Sequence, residues 1–308
     1  MARRVADRLR ASASRITSSR AVRWVNAHRR VLAIIVLGSF FAFLVAYLAL
    51  NPGLLVQAFS IGWANITILL GLYLLIVTTH FGVLETTIRL SRNRLPYREG
   101  FLLTVYSTVS NFFGPLQSGP GIRAVYLKGR IGMRFRDYTY ATLYYFGAFA
   151  VVNGSLLFAN TAPWITALGL VVGAVVVWMA AWRAGILDRW VWVAALGAVV
   201  VIQVLLMTTV YFVEINAVSD ASYTFAQALS YSGSANLSLF VSITPGAIGI
   251  REGFLVFAQS LHQVPLDTIV AAGIVDRAFY AVFLGALFGV SSLFHLRGIF
   301  RKDDPAEQ

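Results

Sequence analysis

Long stretches of this chain carry no charge at all. Uncharged apolar runs cover residues 31–50, 61–84, 100–122, 138–182 and 191–213. About 20 residues of helix cross a bilayer, and hydrocarbon offers no partner to a bare backbone amide. Runs of this length therefore predict membrane helices and exclude the core of a soluble domain. Composition agrees: hydrophobic residues make up 58 % of the 308, and the mean hydropathy is +0.73. A soluble domain holds roughly 45–50 % apolar residues.

The charges then orient the spans. The first 30 residues hold nine Arg, residues 85–99 four, residues 123–136 five basic residues, residues 183–189 two, and the carboxyl-terminal segment three. Together these are 23 of the 25 basic residues, and basic loops stay on the cytoplasmic side. The net charge of +12 reads as this bias plus a basic tail facing anionic lipid, with no nucleic acid implied. The spacing of Val5, Leu9, Ser12, Ile16 and Ser19 against Arg4, Arg8, Arg15 and Arg23 leaves two readings of that tail, an interfacial helix or a disordered segment. Residues 31–50 lack a well-placed small-residue cleavage site, so a retained signal-anchor is expected.

With the amino terminus inside, residues 31–50 cross outward and 61–84 return. Residues 100–122 do not fit a crossing, because one would put Arg123, Lys128, Arg130, Arg134 and Arg136 outside. A hairpin entering from the cytoplasm and turning between Gly114 and Gly121, with Pro115 and Pro120, avoids this. Residues 138–182 are too long for one span and divide at Asn160-Thr161-Ala162-Pro163, a turn signal. Residues 191–213 lead to Glu214 and Asp220, read as an acidic external loop. A second uncharged stretch, 221–250, breaks at Pro245-Gly246 and forms a hairpin from the opposite side, and 268–296 return to Arg297, Arg301 and Lys302.

The expected fold is an all-α polytopic membrane protein with about six spans and two re-entrant hairpins. Its organisation is a tail (1–30), a membrane domain (31–300, halves 31–160 and 161–300) and a tail (301–308). The halves echo each other in sequence. Residues 121–127 (Gly-Ile-Arg-Ala-Val-Tyr-Leu) resemble 249–255 (Gly-Ile-Arg-Glu-Gly-Phe-Leu), and Asp137 and Ala141 match Asp267 and Ala271. Inverted repeats whose broken helices meet at the midplane are a recurring transporter design.

Irregular backbone at membrane depth survives only where protein or water covers it, so both turns imply a cavity. A short helix after each turn, starting near Gly121 or Gly249, presents free N–H groups and a positive dipole end. Arg123 and Arg251 in those first turns add a fork suited to phosphate. A charge at mid-bilayer costs at least about 2.5–3.5 kcal/mol, which argues for a task. Two readings stay open for the second half. Arg251 and Arg277 hold a substrate anion, or they lock helices, Arg251 by pairing with Glu252 or Asp276 and Arg277 by pairing with Glu252. Arg123 either contacts substrate or opens the cytoplasmic loop. Glu85 and Arg89, one turn apart, are expected to pair. Asn111 and Asn236 are expected to cap freed backbone, and the Trp residues at span ends to form an interfacial belt. His28, His80, His262 and His295 are scattered, the chain has no Cys, and no nucleophile triad, carboxylate pair or nucleotide loop is visible. No metal, cofactor or enzymatic step is expected.

Pro245-Gly246-Ala247-Ile248-Gly249-Ile250-Arg251-Glu252-Gly253, with Arg277 in the next span, resembles the signature of the lysylphosphatidylglycerol synthase transmembrane-region family. Pro115 to Arg123 and Leu127 are similar to that family's first motif, and the resemblance runs from about residue 31 to 300. Two departures are Ala247 in place of a Gly, and no acidic residue ahead of Arg123. The resemblance implies a flippase-like membrane domain, here a stand-alone member without a synthase domain. It further implies a role in envelope biogenesis and lipid-linked or polyprenyl-phosphate-linked sugars as cargo. The expected function is transport of a phosphate-bearing lipid between leaflets of a bacterial cytoplasmic membrane, with both termini cytoplasmic. Arg251 and Arg277 would hold the anion, and Glu252 and Asp276 would release it. The alternative is a membrane partner that presents lipid to a separate glycosyl- or aminoacyltransferase. Proton coupling ranks below both, because Asp276 is the one carboxylate expected at mid-span.

Overall fold

The computed structural model describes residues 61–113, 118–183, 185, 187–241 and 249–302. Residues 31–50, Pro115, Pro245 and Gly246 lie outside these. The described residues form helices and no strand: α1 (Trp63–Leu90), α2 (Tyr97–Phe113), α3 (Gly119–Ile131), α4 (Phe135–Leu156), α5 (Pro163–Arg183), α6 (Trp190–Ala217), α7 (Phe225–Ser238), α8 (Ile250–Phe257), α9 (Gln259–His262) and α10 (Leu266–Lys302). Four of them, α1, α5, α6 and the Leu266–Leu293 part of α10, are long and apolar enough to cross a membrane. The chain is thus an all-α, multi-pass membrane protein. Helix α4 has 22 residues but is less apolar, with Asn153 and several Tyr among its residues.

Polar side chains inside the helices fold back onto their own backbone. Thr86 Oγ1 donates to the Gly82 carbonyl at 2.8 Å, Thr104 to Gly100 at 2.9 Å and Asn153 to Phe149 at 2.8 Å. Such bonds satisfy a donor without opening the helix. The break expected at Asn160 is present: α4 ends at Leu156 and Pro163 starts α5, where its missing N–H costs nothing. Asn160 ties that turn to later helices: its N–H donates to Ser230 Oγ and its side chain to the Leu261 carbonyl.

Helices α1 and α6 pack antiparallel through the centre. Leu69 and Ile76 meet Val210, Val83 and Leu90 meet Leu196, and Arg89 lies 5.5 Å from the centroid of the Trp192 ring. The Glu85–Arg89 pair forms as expected, at 2.6 Å. Each central helix is followed by a helical hairpin. In the first, α2 and α3 run antiparallel, with contacts at Ser110–Ser118 (2.7 Å), Ser107–Arg123 (2.6 Å) and Glu99–Arg130 (2.8 Å). In the second, Ser234 of α7 donates to the Phe254 carbonyl of α8, and Tyr231 meets His262 of α9. Each hairpin leans on a long helix of the other half. α2 meets α10 through Tyr106–Phe288 and Phe112–Tyr280, and α7 meets α4 through Asn236–Asn153 at 2.8 Å.

The first hairpin closes because Gly119 has no side chain. A Cβ there would sit 2.6 Å from the Ser107 carbonyl oxygen and 3.1 Å from Asn111 Cβ, whereas one on Gly121 would meet nothing within 4 Å. Gly119→Ala is expected to lower stability by about 1–3 kcal/mol through overpacking. Gly121→Ala is expected to be neutral or stabilising, since Ala is the better helix former. Thermal unfolding of the two purified variants in detergent checks the contrast.

Candidate functional site

Two of the three acidic side chains at the heart of this site lie on long helices, Asp276 on α10 and Glu214 on α6; Glu252 sits on the short α8. Arg251, in the first turn of α8, is 8 % exposed, and its Nη1 donates to Asp276 Oδ2 at 2.5 Å. Arg277, beside Asp276, donates to Glu252 Oε1 at 2.5 Å. Glu252 is also 3.9 Å from Arg251 Nε. Of the pairings left open by the sequence, Arg251 takes Asp276 and Arg277 takes Glu252, and these stitch α8 to α10. A buried pair like this is weak evidence for stability, since desolvation offsets much of the attraction.

A cavity of about 250 Å³ lies beside this pair. Its wall draws on both hairpins and the helices between them. Arg123, Pro120 and Ser107 come from the first hairpin, Arg251 from the second, Tyr73 and His80 from α1, Gln203 from α6 and Asp276 and Tyr280 from α10. Arg123 reaches the cavity with its Nε bonded to Ser107 Oγ at 2.6 Å. Among the described residues it has no ion pair. The cavity wall thus carries two guanidinium groups and one carboxylate, an excess of positive charge. Thr108 Oγ1 and His80 Nδ1 in the same wall also lack hydrogen-bond partners, and such groups are uncommon in buried sites without a role.

Several placements differ from those expected. Helix α3 starts at Gly119, ahead of Gly121, and Pro120 occupies its first turn, because the fixed φ of proline suits that position. Gly121 is exposed and not part of the cavity wall. Gly249 does precede α8, with φ 81°, a conformation that favours glycine. Its N–H, however, donates to Glu252 Oε2 at 2.8 Å. That donor is already used within the chain and is not free for an anion. Glu252 and Arg277 lie behind Arg251 and Asp276 and do not line the cavity. Asn236 Nδ2 donates to Asn153 Oδ1 across the helix interface and to Ser232 Oγ one turn back on α7.

The largest correction concerns Glu214. It is no part of an external loop: α6 continues to Ala217, and Glu214 is 1 % exposed. Tyr73 Oη sits 3.0 Å from Glu214 Oε1 and 3.3 Å from Asp276 Oδ1. The apolar run of α6 stops at Val213 in the sequence, and a carboxylate one residue later reads as the edge of a loop. One further turn of helix carries it inside. Tyr73 gave no signal, because a single Tyr in an apolar span is ordinary.

Comparison of the chain with models of protein families, with curated proteins and with solved structures finds no match. The site is therefore interpreted from its own chemistry. Asp276→Ala is expected to cost about 3 kcal/mol or more, because it leaves the buried Arg251 charge unpaired. Adding Arg251→Met to that variant is expected to recover most of the loss, and a double-mutant cycle of thermal melts measures it.

Proposed function

We propose that this protein is a flippase that moves a phosphate-bearing lipid, or a polyprenyl-phosphate-linked sugar, between leaflets by alternating access. The observation that carries the proposal is one cavity, walled by both hairpins, with Arg123 uncompensated and Arg251 held by Asp276. An anionic head group meets a free guanidinium at Arg123 and competes with Asp276 for the second. The volume is near the roughly 300 Å³ lower end of ligand pockets, so a head group fits while acyl or prenyl tails stay in the bilayer.

In this proposal the chain has six spans and two re-entrant hairpins in an inverted repeat, in a bacterial cytoplasmic membrane with both termini inside. The packing supports the repeat. Exchanging α1 with α6, α2 with α7, α3 with α8 and α4 with α10 carries the helix contacts onto one another: α2–α10 onto α7–α4, α1–α4 onto α6–α10, and α3–α4 onto α8–α10. The antiparallel packing of α1 on α6 is what an axis in the membrane plane requires of equivalent helices. Under the same exchange Arg123 answers to Arg251, and the alignment of Asp137 with Asp267 puts Phe146 where Asp276 stands. The first half therefore keeps the cation and lacks its latch. Rocking of the hairpins against α1 and α6 exposes the cavity to one side at a time. The resemblance to the lysylphosphatidylglycerol synthase transmembrane-region family accords with this assignment.

Leaflet-resolved lipid analysis in cells lacking the protein tests the proposal, with complementation by wild type, Arg251→Ala or Arg123→Ala. Arg123→Ala is the cleaner variant, since it orphans no carboxylate. The expected result is an anionic lipid trapped on the cytoplasmic side and released by wild type alone, with stably inserted Arg123→Ala at least tenfold slower. Normal translocation by both variants overturns the proposal. A lipid that is never made points instead to a partner of a transferase.

A further inference from the structure

Resting on that function, the geometry points to a proton-binding site at the Glu214–Asp276 pair, coupled so that one proton is taken up with each anion bound at Arg251. Two carboxyl groups share one hydroxyl here, Tyr73 Oη, at 3.0 and 3.3 Å. A phenol has a single proton and can donate to one of them at a time. Two bare carboxylates on one hydroxyl in a poorly solvated interior repel each other. A proton held between them removes that repulsion.

The one cation in electrostatic reach of Glu214 is Arg251, among the described residues, and it is bonded to Asp276. Helix α1 contributes Tyr73, α10 contributes Asp276 and, a turn on, Tyr280. Helix α8 contributes Arg251, which is already bonded to Asp276, and the neighbouring Arg277 is bonded to Glu252. Tyr231 of α7 and Tyr211 of α6 itself are in electrostatic reach. Helix α4 supplies Tyr145, which bonds Gln203 three turns away along α6. Among the described residues Glu214 makes no ion pair.

Coupling follows from the double use of Arg251. Its side chain is nine-tenths buried, it lines the cavity, and its Nε has no hydrogen-bond partner. When an anion takes the Arg251 guanidinium, Asp276 loses its cation while Glu214 already holds the shared proton. A second proton, from water in the cavity, then binds Asp276, and no net charge is added to the interior. The anion crosses as a neutral pair with that proton, so a proton gradient biases the direction of movement. Proton and anion each favour the other, as linkage requires.

The test is isothermal titration of the detergent-solubilised protein with dioctanoyl phosphatidylglycerol, a phosphodiester that stays singly charged throughout the range used. Each titration is run in two buffers of different ionisation enthalpy. Wild type is expected to take up close to one proton per lipid, and its affinity to fall up to about tenfold per unit of rising pH. Glu214→Gln combined with Asp276→Asn is expected to bind with no uptake and a flat pH profile. Wild-type binding whose heat is the same in both buffers overturns the coupling and leaves the flippase proposal standing. No binding at any pH overturns both. The wild-type measurement decides the matter even if the double variant fails to fold.

Discussion

Hydrocarbon cannot hydrogen-bond a peptide group, and that constraint organises this protein. It makes every long apolar segment helical, and it turns polar side chains such as Thr86, Thr104 and Asn153 back onto their own carbonyls. It also dictates where helices can stop. The two hairpins interrupt the helical pattern, and each is covered by a long helix from the opposite half, α2 by α10 and α7 by α4. The central α1–α6 pair packs between both arrangements. The cavity is what remains between two covered hairpins.

Charge inside that frame is arranged as a ladder of substitutable partners. Arg277 is bonded to Glu252, Arg251 to Asp276, and Asp276 shares Tyr73 with Glu214. Glu252, Arg251, Asp276 and Tyr73 each have a second neighbour within 4 Å. Arg123, on the other hairpin, stands outside the ladder with only Ser107 for company. In the transport proposed here an anion finds one cation free and one engaged, and engaging the second sends a disturbance toward Glu214. On that proposal the ladder links occupancy of the cavity to the state of buried acids.

Much of the helical layout was legible in the sequence because it follows from local constraints. Uncharged length sets spans, Asn160 to Pro163 announces a turn, and Gly with Pro after residue 113 announces another. Glu214 was misread for a physical reason: a helix has no signal of its own at a polar residue, and whether the next turn is inside or outside depends on what packs there. Tyr73, His80 and Gln203 were invisible for the same reason, being unremarkable in their own spans until α1 and α6 bring them to one wall. The helix starts at Gly121 and Gly249 were read as free donors, but Glu252 reaches back over three residues to occupy Gly249.

The sequence by itself determined that this chain is helical and membrane-embedded, that a turn falls between Asn160 and Pro163, and that Arg251, Glu252, Asp276 and Arg277 belong together. Those properties depend on the cost of exposing backbone or charge to lipid, which is paid residue by residue. Tertiary structure alone decided which carboxylate each arginine meets, that Arg123 meets none, and that Glu214 lies beside Asp276. Those depend on long-range packing of α1, α6 and α10. Side chains 141 and 203 residues apart along the chain meet at one tyrosine hydroxyl, and no local pattern encodes that.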